Sequence, residues 1–219
     1  MTTIFGFLSR SDTYSLDLPP EVDPRFYLGS SAGISPNGSL SIQCSRIDLV
    51  DFDAFGWTRS FDVSGPDSNV AVYRSASVPD AIMPVWEFGD WRIWMQLRCE
   101  PGASQSQLLA DFVTGLRITL DSYALPRITL RGQLVRGDIY LREADREVVL
   151  FEVPGTTSMV VLRYDGALGV EGSYRDGDFV WATATTPFGI TVQRDGEPGS
   201  QDQVLSAARE LAATVRRVA

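Results

Sequence analysis

From Trp91 to Cys99 the chain alternates without a break. Trp91, Ile93, Met95, Leu97 and Cys99 fall on one parity, and Arg92, Trp94, Gln96 and Arg98 on the other. Successive side chains of a strand point to opposite faces, so this run reads as a half-buried antiparallel strand. Leu40, Ile42 and Cys44 open another strand after an Asn37-Gly38 turn, and Trp57, Phe61 and Val63 suggest a third. Further short strands are read at Ile128 and Leu130, Ile139 and Leu141, Val148 to Phe151, Val160 to Leu162, Phe179 to Thr183 and Ile190 to Val192. Turn clusters separate them at Arg136-Gly137-Asp138, Pro154-Gly155, Asp165-Gly166 and Arg175-Asp176-Gly177-Asp178.

Two segments leave this period. Glu100-Pro101-Gly102-Ala103-Ser104-Gln105-Ser106-Gln107 recurs, one residue shorter, as Glu197-Pro198-Gly199-Ser200-Gln201-Asp202-Gln203. Ser104 with Gln107, and Ser200 with Gln203, have the spacing of a capping box, in which the serine oxygen accepts a helix-start N–H and the glutamine reaches back. Apolar residues then follow at helical steps: Leu108, Leu109, Phe112, Val113 and Leu116 in one stripe, and Val204, Ala208, Leu211, Val215 and Val218 in the other. Helices are therefore expected over 104–117 and 200–218.

Two weaker recurrences lie upstream in the same order. Val70-Ala71-Val72-Tyr73-Arg74 stands beside Val160-Val161-Leu162-Arg163, and Gly89-Asp90-Trp91 beside Gly177-Asp178-Phe179. The expectation is a tandem duplication of two α+β halves, 1–122 and 123–219, with a boundary near Asp121 to Pro126. Each half is mainly antiparallel sheet and ends in one amphipathic helix.

Composition narrows the chemistry. The 219 residues carry 19 basic and 28 acidic side chains for a net charge of −9, with every base an arginine and no lysine or histidine. That excludes histidine-based triads, the commonest zinc and haem ligand, Schiff-base lysines and phosphate-binding lysines. Gly29-Ser30-Ser31-Ala32-Gly33 matches the G-x-S-x-G nucleophile pattern, but without a histidine base it reads as a small-residue turn. Cys44 and Cys99 are too few and too far apart for a zinc site and read as reduced core thiols. No leader or membrane-spanning run of about 18 apolar residues is present, which points to the cytoplasm.

Candidate sites follow from the aromatics and the acids. Trp57, Trp86 and Trp91 could line an apolar ligand cavity, although ordinary core packing explains them as well. Trp94 shares its parity with Arg92 and Arg98, the composition of a partner-binding anchor; the alternative is that a helix covers that face and Trp94 is interior. Asp51 with Asp53, Asp176 with Asp178, and Glu143, Asp145 and Glu147 read as turn and surface carboxylates rather than a catalytic or metal site.

An acidic chain without lysine suits neither a nucleic-acid backbone nor an anionic membrane. The expected partner is a protein, a basic one for preference, or a second copy of the chain. The function expected is therefore a non-catalytic protein-binding or assembly protein, such as a chaperone, inhibitor or scaffold subunit, with no cofactor. The alternative is a small-molecule-binding protein or cofactor-free cyclase or isomerase built around a tryptophan-lined cavity.

Overall fold

A computed structural model describes residues 1–8, 10–24, 27–35, 38–65, 69–98, 105–130, 146–152, 158–165, 171–186, 188–195 and 200–218. In chain order the first elements are β1 (Thr2–Gly6), β2 (Thr13–Asp17), β3 (Tyr27–Ser35), β4 (Gly38–Arg46), β5 (Thr58–Ser64), β6 (Asn69–Arg74), β7 (Ala81–Phe88), β8 (Trp91–Met95) and β9 (Leu97–Arg98). There follow α1 (Gln105–Gly115), β10 (Leu116–Leu120), β11 (Pro126–Leu130), β12 (Arg146–Glu152) and β13 (Met159–Asp165). The chain continues through β14 (Gly172–Asp176), β15 (Phe179–Thr185), β16 (Gly189–Asp195), α2 (Gln201–Ala213) and β17 (Arg216–Arg217). This is a mainly antiparallel β fold, with two α-helices among the described residues.

The chain forms two compact units, one of Met1–Gly29 with Asp145–Ala219, the other of Ser30–Ala144. In the second, the strands run in the order β3-β4-β8-β7-β6-β5, with β9 also paired to β7 and a separate β10-β11 hairpin. The run from Trp91 onward is divided at the exposed Gln96 into β8 and β9. Gly89-Asp90 closes β7 on β8 as a two-residue turn with Gly89 at φ +60°, where a side chain would be strained and its Cβ would press on Leu120. Leu109, Phe112 and Val113 of α1 are buried, as are Leu116, Ile118 and Ile128 of the hairpin. Burial of each such large side chain contributes roughly 1.5–3 kcal/mol.

In the other unit the order is β12-β13-β16-β15-β14, beside a small β1-β2-β17 sheet. α2 lies against β14, β15 and β16 and buries Val204, Ala208 and Leu211. Phe188 joins Phe5, Phe7 and Tyr14 at ring-centroid distances of 5.6, 5.5 and 4.9 Å, a buried cluster drawn from opposite ends of the chain.

Several local expectations are revised. The stretch Gly29 to Gly33 is not a turn but the middle of β3, so Ser31 is not at the strand-to-helix elbow that G-x-S-x-G chemistry needs. α1 ends at Gly115 and Leu116 already belongs to β10; α2 ends at Ala213. Thr214 stops the second helix: its hydroxyl donates to the Leu211 carbonyl and accepts from the Asp17 N–H. Val215 and Val218 therefore leave the stripe, and Val218 is 41% exposed. Ser200 makes no side-chain cap hydrogen bond, while Ser104 and both Glu-Pro-Gly segments lie outside the described residues. The strand readings at Ile139 and Leu141 also lie outside them, as do the turns at 136–138 and 154–155. Among the described residues no helix is long and apolar enough to cross a membrane.

Candidate interaction site

Strand polarity determines what covers the sheet around Trp94. β4 and β5 run parallel, since β4, β8, β7, β6 and β5 alternate in direction. The chain leaving Arg46 must return along the sheet before β5 begins, and residues 47–57 make that passage in two short 3-10 turns. Asp51 shapes the second turn, its Oδ1 accepting from the N–H groups of Asp53 at 3.0 Å and Ala54 at 3.3 Å. The carboxylate is thus a turn former, as expected.

Phe52 at the centre of this passage is buried, and its ring meets Trp94 at 5.4 Å and Tyr73 at 5.1 Å. Arg92 lies beneath it, with the guanidinium carbon 5.3 Å from the Phe52 ring centroid. Its Nη1 donates to the Val50 carbonyl at 2.7 Å and its Nη2 to Glu87 Oε1 at 2.8 Å, while Nε is buried without a hydrogen-bond partner. Such a stacked, half-satisfied arginine binds the passage to the sheet through both charge and π-face. Trp94 is 8% exposed, so it is interior: the covered-face alternative describes it, and Phe52 rather than a helix is the cover. Arg98 is exposed on β9 opposite Ala81, four residues along β7 from the Val85 that faces Trp94. Arg92 and Trp94 are thus brought together and Arg98 stands apart.

Trp86 and Trp91 share the opposite face, across from Ile93 and Phe88, and both are buried. Trp91 donates its indole N–H to the Ala124 carbonyl at 2.8 Å, and the Arg46 guanidinium lies 4.2 Å from its ring centroid. Ala124 holds a positive φ of 57° in a turn organised by Asp121, whose carboxylate accepts from the N–H groups of Tyr123 and Leu125 and from both Nε and Nη2 of Arg127. Burial pushes the Asp121 carboxyl up, but the backbone donors at Leu125 and Tyr123 and the Arg127 charge outweigh it and hold the group below the ordinary carboxylate value. Trp57 is half-buried where the passage enters β5, its backbone N–H donating to the Phe52 carbonyl.

Sequence reasoning missed Phe52, Tyr73 and Glu87 as members of the Trp94 cluster. It also missed a stacked pair, Tyr174 on Trp181, with centroids 6.4 Å apart and planes at 6°. Counting back from the Asp176–Phe179 hairpin closure places Tyr174 opposite Trp181, so that signal was available. Asp176 and Asp178 flank Gly177, at φ +59°, in this hairpin turn, and Glu143 and Asp145 lie outside the described residues. Cys44 is buried and Cys99 also lies outside them. Among the described residues no three Cys, Asp or Glu side chains gather to hold a metal ion. Compared with known proteins, the sequence matches no family model and no curated relative.

Proposed function

We propose that the protein is a non-catalytic protein-binding or assembly protein, acting as a chaperone, inhibitor or scaffold subunit toward a basic partner. One observation carries this reading. The end strand β5 or β14 of each sheet order presents an exposed aromatic: Phe61 of β5, 41% exposed under the Arg74 guanidinium at 5.7 Å, and Tyr174 of β14, 56% exposed and stacked on Trp181, with the exposed Arg175 following it on the opposite face. Aromatics and arginines are the residues enriched at protein interfaces, and outer strands are where another chain can pair. Arg98 adds to the exposed surface, and Arg92 with Trp94 supports it from beneath by holding the passage whose tip, Phe55, is 73% exposed.

The reading includes an internal duplication. Support comes from the shared strand order, in which a hairpin (β3-β4 or β12-β13) receives the last meander strand (β8 or β16), and a helix follows. On that correspondence the junction falls between Gly115 and Leu116, because the Asp121–Leu125 turn is inside the β10-β11 hairpin. The upstream recurrences do not share it: β6 and β13, and the β7-β8 and β14-β15 turns, hold different places in the two orders. The amphipathic reading of α2 is supported by buried Val204, Ala208 and Leu211 against exposed Asp202, Gln203, Arg209 and Glu210.

Native mass spectrometry of the protein purified from its own host tests the function. A stoichiometric protein partner or a defined homo-oligomer is expected. A monomer retaining a reproducible small-molecule mass overturns the proposal in favour of a ligand carrier.

A further inference from the structure

We propose that the outer edge of β14 receives an extended basic segment of another protein as an added antiparallel strand. The inference rests on the protein-binding reading and says where and how binding occurs. Its ground is a comparison within the molecule. β6 and β14 hold the same place in the two strand orders, but β6 lies between β7 and β5, whereas β14 pairs with β15 alone among the described residues.

Chain length explains the difference. Between β4 and β5 the eleven residues 47–57 run back along the sheet and begin an additional strand. Between β13 and β14 there are only six, 166–171, and they must pass two intervening strands, a distance of about 14 Å at 4.7–4.9 Å per spacing. At roughly 3.3–3.6 Å per residue this connection is too short to supply a strand as well. Among the described residues this edge therefore has no counterpart of β5.

The sheet faces of the two units differ as well among the described residues. In the Ser30–Ala144 unit, Phe52 and its neighbours leave Met83, Val85 and Trp94 buried. In the other unit Val180, Ala182 and Ala184 are buried on one face of β15, while on the opposite face Trp181 and Thr183 are half-buried and Tyr174 stands open on its stack. Tyr174 is thus an apolar contact waiting at an edge.

The register specifies the occupant. Asp176 and Phe179 close a two-residue turn and so form a hydrogen-bonded pair, which directs the backbone N–H and C=O of Ser173 away from β15. Tyr174 and Asp176 project to the same face, and Asp176 and Asp178 are exposed. An antiparallel strand then meets Asp176 two residues before Tyr174, so the segment reads cation-x-apolar, with Lys or Arg against Asp176 and an aromatic or branched side chain against Tyr174. Charge favours this partner over a second copy, since each copy carries −9.

The test is fluorescence anisotropy with a labelled eight-residue peptide, alternating Thr and Val and carrying Lys two residues before Phe. Saturable binding is expected, weakened about tenfold by Tyr174→Ser or by Glu in place of the peptide lysine. A peptide N-methylated on its edge-facing amides should not bind; this control leaves the protein unaltered, and Ser173→Pro, which removes an outward N–H, should act alike. No binding up to about 1 mM, binding indifferent to N-methylation, or equal binding of the glutamate peptide overturns the proposal. Concentration-dependent dimerisation abolished by Ser173→Pro overturns it in favour of a second copy. A stoichiometric partner whose binding survives both variants overturns this edge while leaving the protein-binding reading intact.

Discussion

Asp121 concentrates four hydrogen bonds on one carboxylate, with Arg127 as its ion-pair partner at 2.7 Å and both side chains mostly buried. Removing the charge leaves a buried guanidinium without its anion, so Asp121→Asn should cost about 2 kcal/mol at neutral pH. The sign of its pH dependence follows from the lowered folded value. The contribution is present above the unfolded carboxylate value of about 3.9 and is lost as pH falls through the lower folded one. Urea unfolding of both proteins should therefore show a gap at pH 7 that closes on acidification, and a gap constant down to pH 2, by the same linkage, would assign the cost to shape rather than charge. By sequence Asp121 to Pro126 reads as a boundary between halves, and the indole of Trp91 reaching Ala124 was not legible, because nothing local relates positions 33 residues apart.

Helix starts were read more accurately than helix ends. Both helices begin within one residue of the expected position, at Gln105 and Gln201, yet both stop before their apolar stripes do. Periodicity reports which positions are apolar, and Val215 and Val218 fit a helix as well as they fit the turn and strand that follow. Pairing of Arg216 with Ser15 and Arg217 with Tyr14 takes this segment into a sheet instead. Leu211→Ala should accordingly cost about 2–4 kcal/mol, as for a buried leucine, whereas Val218→Ala should stay within about 0.5 kcal/mol. Thermal unfolding of the two variants checks this; equal losses would return Val218 to the helix face. The alternation at Trp91 to Arg98 was similarly informative about parity but left the exposure of Trp94 open between a partner-binding face and a covered one, and Phe52 covers it.

The unit that joins Met1–Gly29 to Asp145–Ala219 depends on contacts between the two ends of the chain. Phe5 and Phe188, 183 positions apart and both fully buried, meet edge to face at 5.6 Å. Phe188→Leu should destabilise by about 1–3 kcal/mol. In a double-mutant cycle with Phe5→Leu the pair should show a coupling of about 0.5–1.5 kcal/mol. Additive losses would mean that the rings merely fill neighbouring space.

The sequence by itself determined the helix starts, the hairpin turn at Gly177 and the parity of strands such as β8, because those follow from helical spacing, a positive-φ glycine and side-chain alternation, all set within a few residues. Only the tertiary structure decided which strands pair, which face is covered and which edge stays open. Closure entropy grows slowly with loop length, so a partner 33 or 183 residues away costs little more than a near one and leaves no local trace. The place of β14 is of that kind: among the described residues it pairs with β15 alone at the end of its strand order, and nothing within its own five residues marks it as terminal.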